Sequence, residues 1–248
     1  MKEVNGMEDR EFTKYADSGF KSYLVHRAGA VELSESRYNL VLGLTLVWGF
    51  VLNALMIRFL GPSVIGFLVR NAESYSSIMI GFLVGYFALC FAGSALVRKQ
   101  NPAVCFLGYN LIAVPIGLVL MLAVLSVGDF RIVYTAALYT AIITLIMMIV
   151  STAAPRVFLS IGGGLTVALI ATLVVELVAT FLFHRDLAIT DYAVVLIMAL
   201  YVGVDWARAN QVQRTTSNAI AAASALYLDI VNIFIRLLSI LSRSKSRD

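Results

Sequence analysis

Seven apolar runs of 20 to 27 residues alternate with short polar stretches along this chain, at 38–60, 76–97, 103–127, 132–151, 157–183, 189–208 and 219–241. At about 1.5 Å of rise per residue, each is long enough to cross a hydrocarbon core of ~30 Å, so each predicts a transmembrane helix. Before them lies a tail, residues 1–37, with six basic and seven acidic residues. After them comes a basic tail, 242–248, with Arg243, Lys245 and Arg247. Within the tail, 20–31 carries a weak apolar periodicity compatible with a segment on the membrane surface. The tail has no apolar run of the kind a signal peptide needs, so the first span is expected to target the protein.

Local signals refine the picture. Gly61-Pro62 is expected to break the first helix, leading into a polar loop with Arg70, Asn71 and Glu73. Pro102 suits the first turn of the third span, and Pro115 inside it predicts a kink. Gly81 and Gly85 make a small-xxx-small face that would let another helix approach closely. Gly162-Gly163-Gly164 lies inside the fifth span, where packing is the ordinary explanation.

Composition settles the environment. Of 248 residues, 60% are hydrophobic and 14% charged, with a mean hydropathy of +0.87; a soluble domain carries roughly 45–50% apolar and about 25% charged residues. The chain therefore reads as an all-α membrane protein with one seven-span domain, 38–241, and the lipid bilayer as its first partner. The net charge of +4 sits mostly on tails and loops, which suggests a basic membrane face and not nucleic-acid binding. With seven crossings, eleven Lys/Arg share the side of the N-terminal tail against eight opposite. That split favours a cytoplasmic N-terminus. A last segment that dips in and returns would make it fifteen to four, yet 23 residues suffice to cross, and seven crossings are the expectation. Cys90 and Cys105 are isolated within spans and form no disulfide or metal framework.

Acidic residues inside spans carry the candidate chemistry, because a carboxylate at a helix centre costs roughly 2.5–3.5 kcal/mol on translocon-type scales. Asp205 lies near the end of the sixth span and Asp229 near the middle of the seventh, at depths of roughly 5–9 and 12–16 Å from the same face. Consecutive helices joined by a short turn are expected neighbours. Two carboxylates meeting away from water would share one proton and titrate as a unit. Losing that proton leaves two repelling charges, or hard oxygens for a Ca²⁺ ion. Alternatively, each aspartate separately caps a partner such as Arg208, Arg236 or a backbone amide. Asn232, one turn beyond Asp229, could orient that carboxylate or an ion. Arg98 or Lys99, closing the second span, could bridge to Asp205 or serve as interfacial anchors. Glu176 could line the same pathway, or be satisfied by Tyr or Ser/Thr groups.

Other chemistries are disfavoured. His26 and His184 lie outside the spans, against an intramembrane zinc hydrolase or a Ser-His protease. No lysine occurs in the seventh span, against a retinal Schiff base there, and no GxxxxGK[ST] loop is present.

The segment Ala225-Leu226-Tyr227-Leu228-Asp229-Ile230-Val231-Asn232-Ile233-Phe234, continuing through Arg236-Leu237-Leu238, resembles the final helix of the Bax inhibitor-1 family. Asp205 in Tyr201-Val202-Gly203-Val204-Asp205 matches the spacing of that family's second acid, and the seven-span plan and the Arg98-Lys99 turn are similar. The resemblance implies a last helix surrounded by the six others. It also implies a pH-sensitive calcium leak governed by Asp205 and Asp229, with an arginine able to bridge to one of them. It further implies the plasma membrane in a bacterium or the endoplasmic reticulum in a eukaryote. The chain departs from the pattern at Trp206-Ala207-Arg208, where an acid-threonine-glutamine form is commoner, and in lacking an acid midway along the second span.

The expected function is thus passive Ca²⁺ passage, closed by the shared proton at low pH, with Ca²⁺ as permeant ion and no tightly bound cofactor or enzymatic activity. A non-conducting scaffold that regulates partner membrane proteins is the second reading, and a proton-coupled transporter using Glu176 the third.

Overall fold

The computed structural model describes residues 31–183 and 188–245. The tail before residue 31, with His26, and the turn at 184–187, with His184, lie outside the described residues, as does Arg247. The described chain is helical: α1 (Glu35–Leu55), a π-helical stretch (Met56–Leu60), α2 (Gly61–Arg70), a 3₁₀ turn (Ala72–Ser74), α3 (Tyr75–Val97), α4 (Pro102–Val127), α5 (Phe130–Ala153), α6 (Pro155–Phe183), α7 (Ala188–Ala209) and α8 (Thr216–Lys245). Seven of these segments are long and apolar enough to cross a membrane, counting Glu35–Arg70 as one. The hydropathy-based spans hold to within a few residues at most ends.

The first span is the exception. Gly61-Pro62 does not break the helix, which continues to Arg70. The reason is local: the Gly61 N–H donates to the Met56 carbonyl, five residues back. The widened turn takes up the disruption caused by a proline, which has no N–H and crowds the preceding turn. The third span, α4, likewise runs unbroken through Pro115. α8 is one continuous helix of 30 residues, so a segment that reverses midway is not what this sequence forms.

The chain divides into two compact units. One comprises α1–α4 and residues 213–227. Here the Leu33 N–H donates to the Arg214 carbonyl at 2.7 Å, Arg214 pairs with Glu35 at 3.1 Å, and the Ser217 hydroxyl donates to the Gln100 carbonyl at 2.5 Å. The entry to α1, the α3–α4 turn and the start of α8 therefore gather at one end, as alternating crossings require. Inside this unit Asn53 donates to the Tyr227 hydroxyl at 2.6 Å, and Tyr109 meets Tyr227 edge-on. A Cβ at Gly49 would overlap the Tyr109 hydroxyl, so this glycine makes room for the phenol.

The small-residue face falls elsewhere than expected. Gly81 and Gly85 have nothing near them that a Cβ would touch. Gly93 and Gly108 are the crossing point instead: a Cβ on Gly108 would lie 2.7 Å from both the Gly93 carbonyl oxygen and the Val97 nitrogen. A turn of four residues between α3 and α4 holds the helices closest near the turn, far from Gly81. Because the obstructing atoms are backbone, Gly108→Val is expected to cost about 1–3 kcal/mol. An unchanged unfolding temperature in detergent would contradict this crossing.

The other unit comprises α5, α6, α7 and residues 228–245, and it carries the acids. α8 has no exposed residue from Thr216 to Arg243, while α3, α5 and α6 expose long apolar rows. That contrast is what lipid-facing and protein-facing helices show.

Candidate functional site

α7 is fixed around its second half by polar contacts to α5 and α6. The Ser151 hydroxyl donates to the Gly203 carbonyl at 2.5 Å, and the Trp206 indole N–H donates to Thr152 Oγ1 at 2.9 Å. The Tyr201 and Thr166 hydroxyls lie 2.6 Å apart. The Phe158 ring fills the space a Cβ at Gly203 would need. These contacts set the rotation of α7 and, with it, the direction of Asp205.

Asp205 is 1% exposed and Asp229 4% exposed. Buried carboxylates inside membrane-length helices are costly and commonly mark function. Arg208, one turn along α7 and also 4% exposed, brings Nη1 to 3.6 Å from Asp205 Oδ1. That is an ion pair, too long for a good hydrogen bond, and the buried Arg208 Nε has no hydrogen-bond partner. Gly162 makes room for this guanidinium, since a Cβ there would lie 3.1 Å from Nη2, whereas Gly163 and Gly164 border open space. Of the glycine triplet, only the first member thus has a packing role.

A second charged cluster joins α6, α7 and α8. Arg236 Nη1 donates to Glu176 Oε1 at 2.6 Å and to Asp191 Oδ1 at 2.8 Å, while Nη2 donates to Glu176 Oε2 at 2.9 Å. Asp191 Oδ2 accepts from Arg243 Nη2 and from the Ser239 hydroxyl at 3.3 Å. Glu176 is therefore met by an arginine, not by the hydroxyl groups considered from sequence. Asp191 was missed because it sits in the first turn of its helix, where an acid is usual. The spacing of Arg236, Ser239 and Arg243, all on one face of α8 opposite an apolar helix, was the signal that could have found it.

This cluster also sets the register of α7 and α8. Asp191 in the first turn of α7 meets Ser239 and Arg243 near the end of α8, so the helices run antiparallel. Asp205 lies about 21 Å along α7 from that level and Asp229 about 15 Å back along α8. The difference of ~6 Å is about one helical turn. The Cα–Cβ bond of each residue tilts toward its own N-terminus, and in antiparallel helices these two tilts point each aspartate toward the other's level.

The half-buried Asn232 donates from Nδ2 to the Leu228 carbonyl at 2.8 Å, which binds it to its own helix. Arg98 caps the end of α3 in the other unit and is exposed, as is Lys99. Among the described residues no three His, Cys, Asp or Glu side chains group as a metal site. Asp205 and Asp229 would therefore offer Ca²⁺ two carboxylates, the rest of its six to eight oxygens coming from backbone and water.

Seven membrane-length helices, with ionisable side chains buried inside the bundle, define an integral membrane protein with intramembrane charged sites. The chain belongs to the Bax inhibitor-1 family: the family described as Inhibitor of apoptosis-promoting Bax1 matches residues 35–247. Neither the curated proteins nor the solved structures compared with it include a match.

Proposed function

We propose that this protein passes Ca²⁺ passively down its gradient and closes when Asp205 and Asp229 share a proton. The carrying observation is the burial of both carboxylates on antiparallel helices, within about one turn of the same level. Family membership and the burial of α8 along its first half support the same reading. At low pH a proton between the two carboxyl groups forms a hydrogen bond from α7 to α8 and removes one charge. At higher pH two like charges repel in a medium of low dielectric, where the penalty is larger than in water. The repulsion loosens the helix contact and leaves oxygens that a divalent cation can visit.

The test is Ca²⁺ flux into proteoliposomes across a range of external pH, for the native protein and Asp205→Asn. Flux should rise with pH in the native protein, and the substitution should flatten the profile. A native profile independent of pH would remove the gate. No flux at any pH would leave the regulatory scaffold.

A further inference from the structure

The Glu176–Asp191–Arg236–Arg243 cluster plays no part in the gate as described, yet within it a single side chain, Arg236, ties three helices of this unit. Its composition is balanced, two acids against two arginines. Asp191 is 3% exposed, so it depends on those cations to remain charged. One atom, Arg236 Nη1, touches oxygens of both Glu176 and Asp191. Without that cation the two carboxylates face one another, α8 loses its tie to Glu176 on α6, and Arg243 and Ser239 alone are left holding Asp191.

We infer that Arg236 is a positioning residue for the aspartate pair: by clamping Asp191 to α8 it fixes the axial register that brings Asp205 level with Asp229. The inference rests on the proton-sharing gate proposed above. The argument is geometric. α7 and α8 are each unbroken helices, so a displacement at Asp191 is carried along the rod to Asp205. A slip of one turn, ~5.4 Å, is comparable to the whole axial offset between the aspartates. The charged groups bordering the two sites are Arg208 beside Asp205, and Glu176, Arg236 and Arg243 beside Asp191.

Lysine at 236 would keep the positive charge but not the planar fork that spans Glu176 and Asp191, whereas glutamine would keep neither. Spin labels at Leu196→Cys on α7 and Ser244→Cys on α8, both at exposed positions, would report register by electron–electron distance measurement in a background with Cys90 and Cys105 replaced by alanine. Arg236→Gln should move that distance by about 5 Å and abolish acid closure of Ca²⁺ flux, and Arg236→Lys, which keeps the charge without the fork, should restore both in part. An unchanged distance, even with a lower unfolding temperature, would make the cluster a structural clamp only and overturn the inference. A moved distance with acid closure intact would overturn it equally. Should the native protein show no flux at all, the gate itself fails, and the distance measurement alone decides whether Arg236 sets the register.

Discussion

Asp229→Asn is expected to hold the protein closed at every pH, while Asp229→Ala is expected to leave it open at every pH. The two outcomes differ because of what each side chain can donate. A protonated carboxyl offers one O–H, and an asparagine amide in the same volume offers N–H donors that do not titrate. Set against Asp205 as the proposed gate requires, that amide imitates the protonated state permanently. Alanine supplies no donor and no charge, so the link between α7 and α8 is simply missing. A hydrogen bond to a charged group contributes about 1.5–3 kcal/mol net, and 1.4 kcal/mol is tenfold in an equilibrium. Flux at neutral pH should therefore fall roughly ten- to a hundredfold in Asp229→Asn, and flux at acid pH should rise by a similar factor in Asp229→Ala. Proteoliposome measurements giving the two variants the same profile would exclude a hydrogen-bonded gate.

Arg208→Leu is expected to be the most damaging single change to stability in the α5–α8 unit. Asp205 and Arg208 are both nearly inaccessible, and removing one member of a buried ion pair typically costs about 3–5 kcal/mol because the other charge is left without compensation. Asp205→Asn combined with Arg208→Leu should recover most of that loss. Thermal unfolding in detergent reads both. A double variant no more stable than Arg208→Leu alone would mean that the guanidinium matters through its packing against Gly162, not through its charge.

The membrane architecture was legible in the sequence because the bilayer imposes one dominant rule, and the apolar runs obey it at nearly every end. What escaped depends on contacts between distant residues. Gly61-Pro62 carries the usual mark of a helix end, but the Gly61 N–H finds the Met56 carbonyl instead, and the helix goes on. Gly81 and Gly85 have the spacing of a close crossing, yet the short α3–α4 turn moves that crossing to Gly93 and Gly108. Asp205, Asp229 and Glu176 stood out as acids within apolar runs. Asp191 did not, since its partners come from the far end of α8. Arg208 was considered only as one of several partners for Asp205, and Gly162, which lets it fit, was read as generic packing.

The unbroken run from Glu35 to Arg70 has a consequence for how the protein is seated. Its 36 residues amount to a rod of ~54 Å, against a slab of about 40–45 Å even with headgroups included. The rod must lean over or let its last turns, beyond the proline, emerge among the headgroups. In the second case Arg58 would mark the waterline and Phe67 and Val69 would rest on the lipid like a float, making this stretch responsive to the thickness of the membrane that holds it.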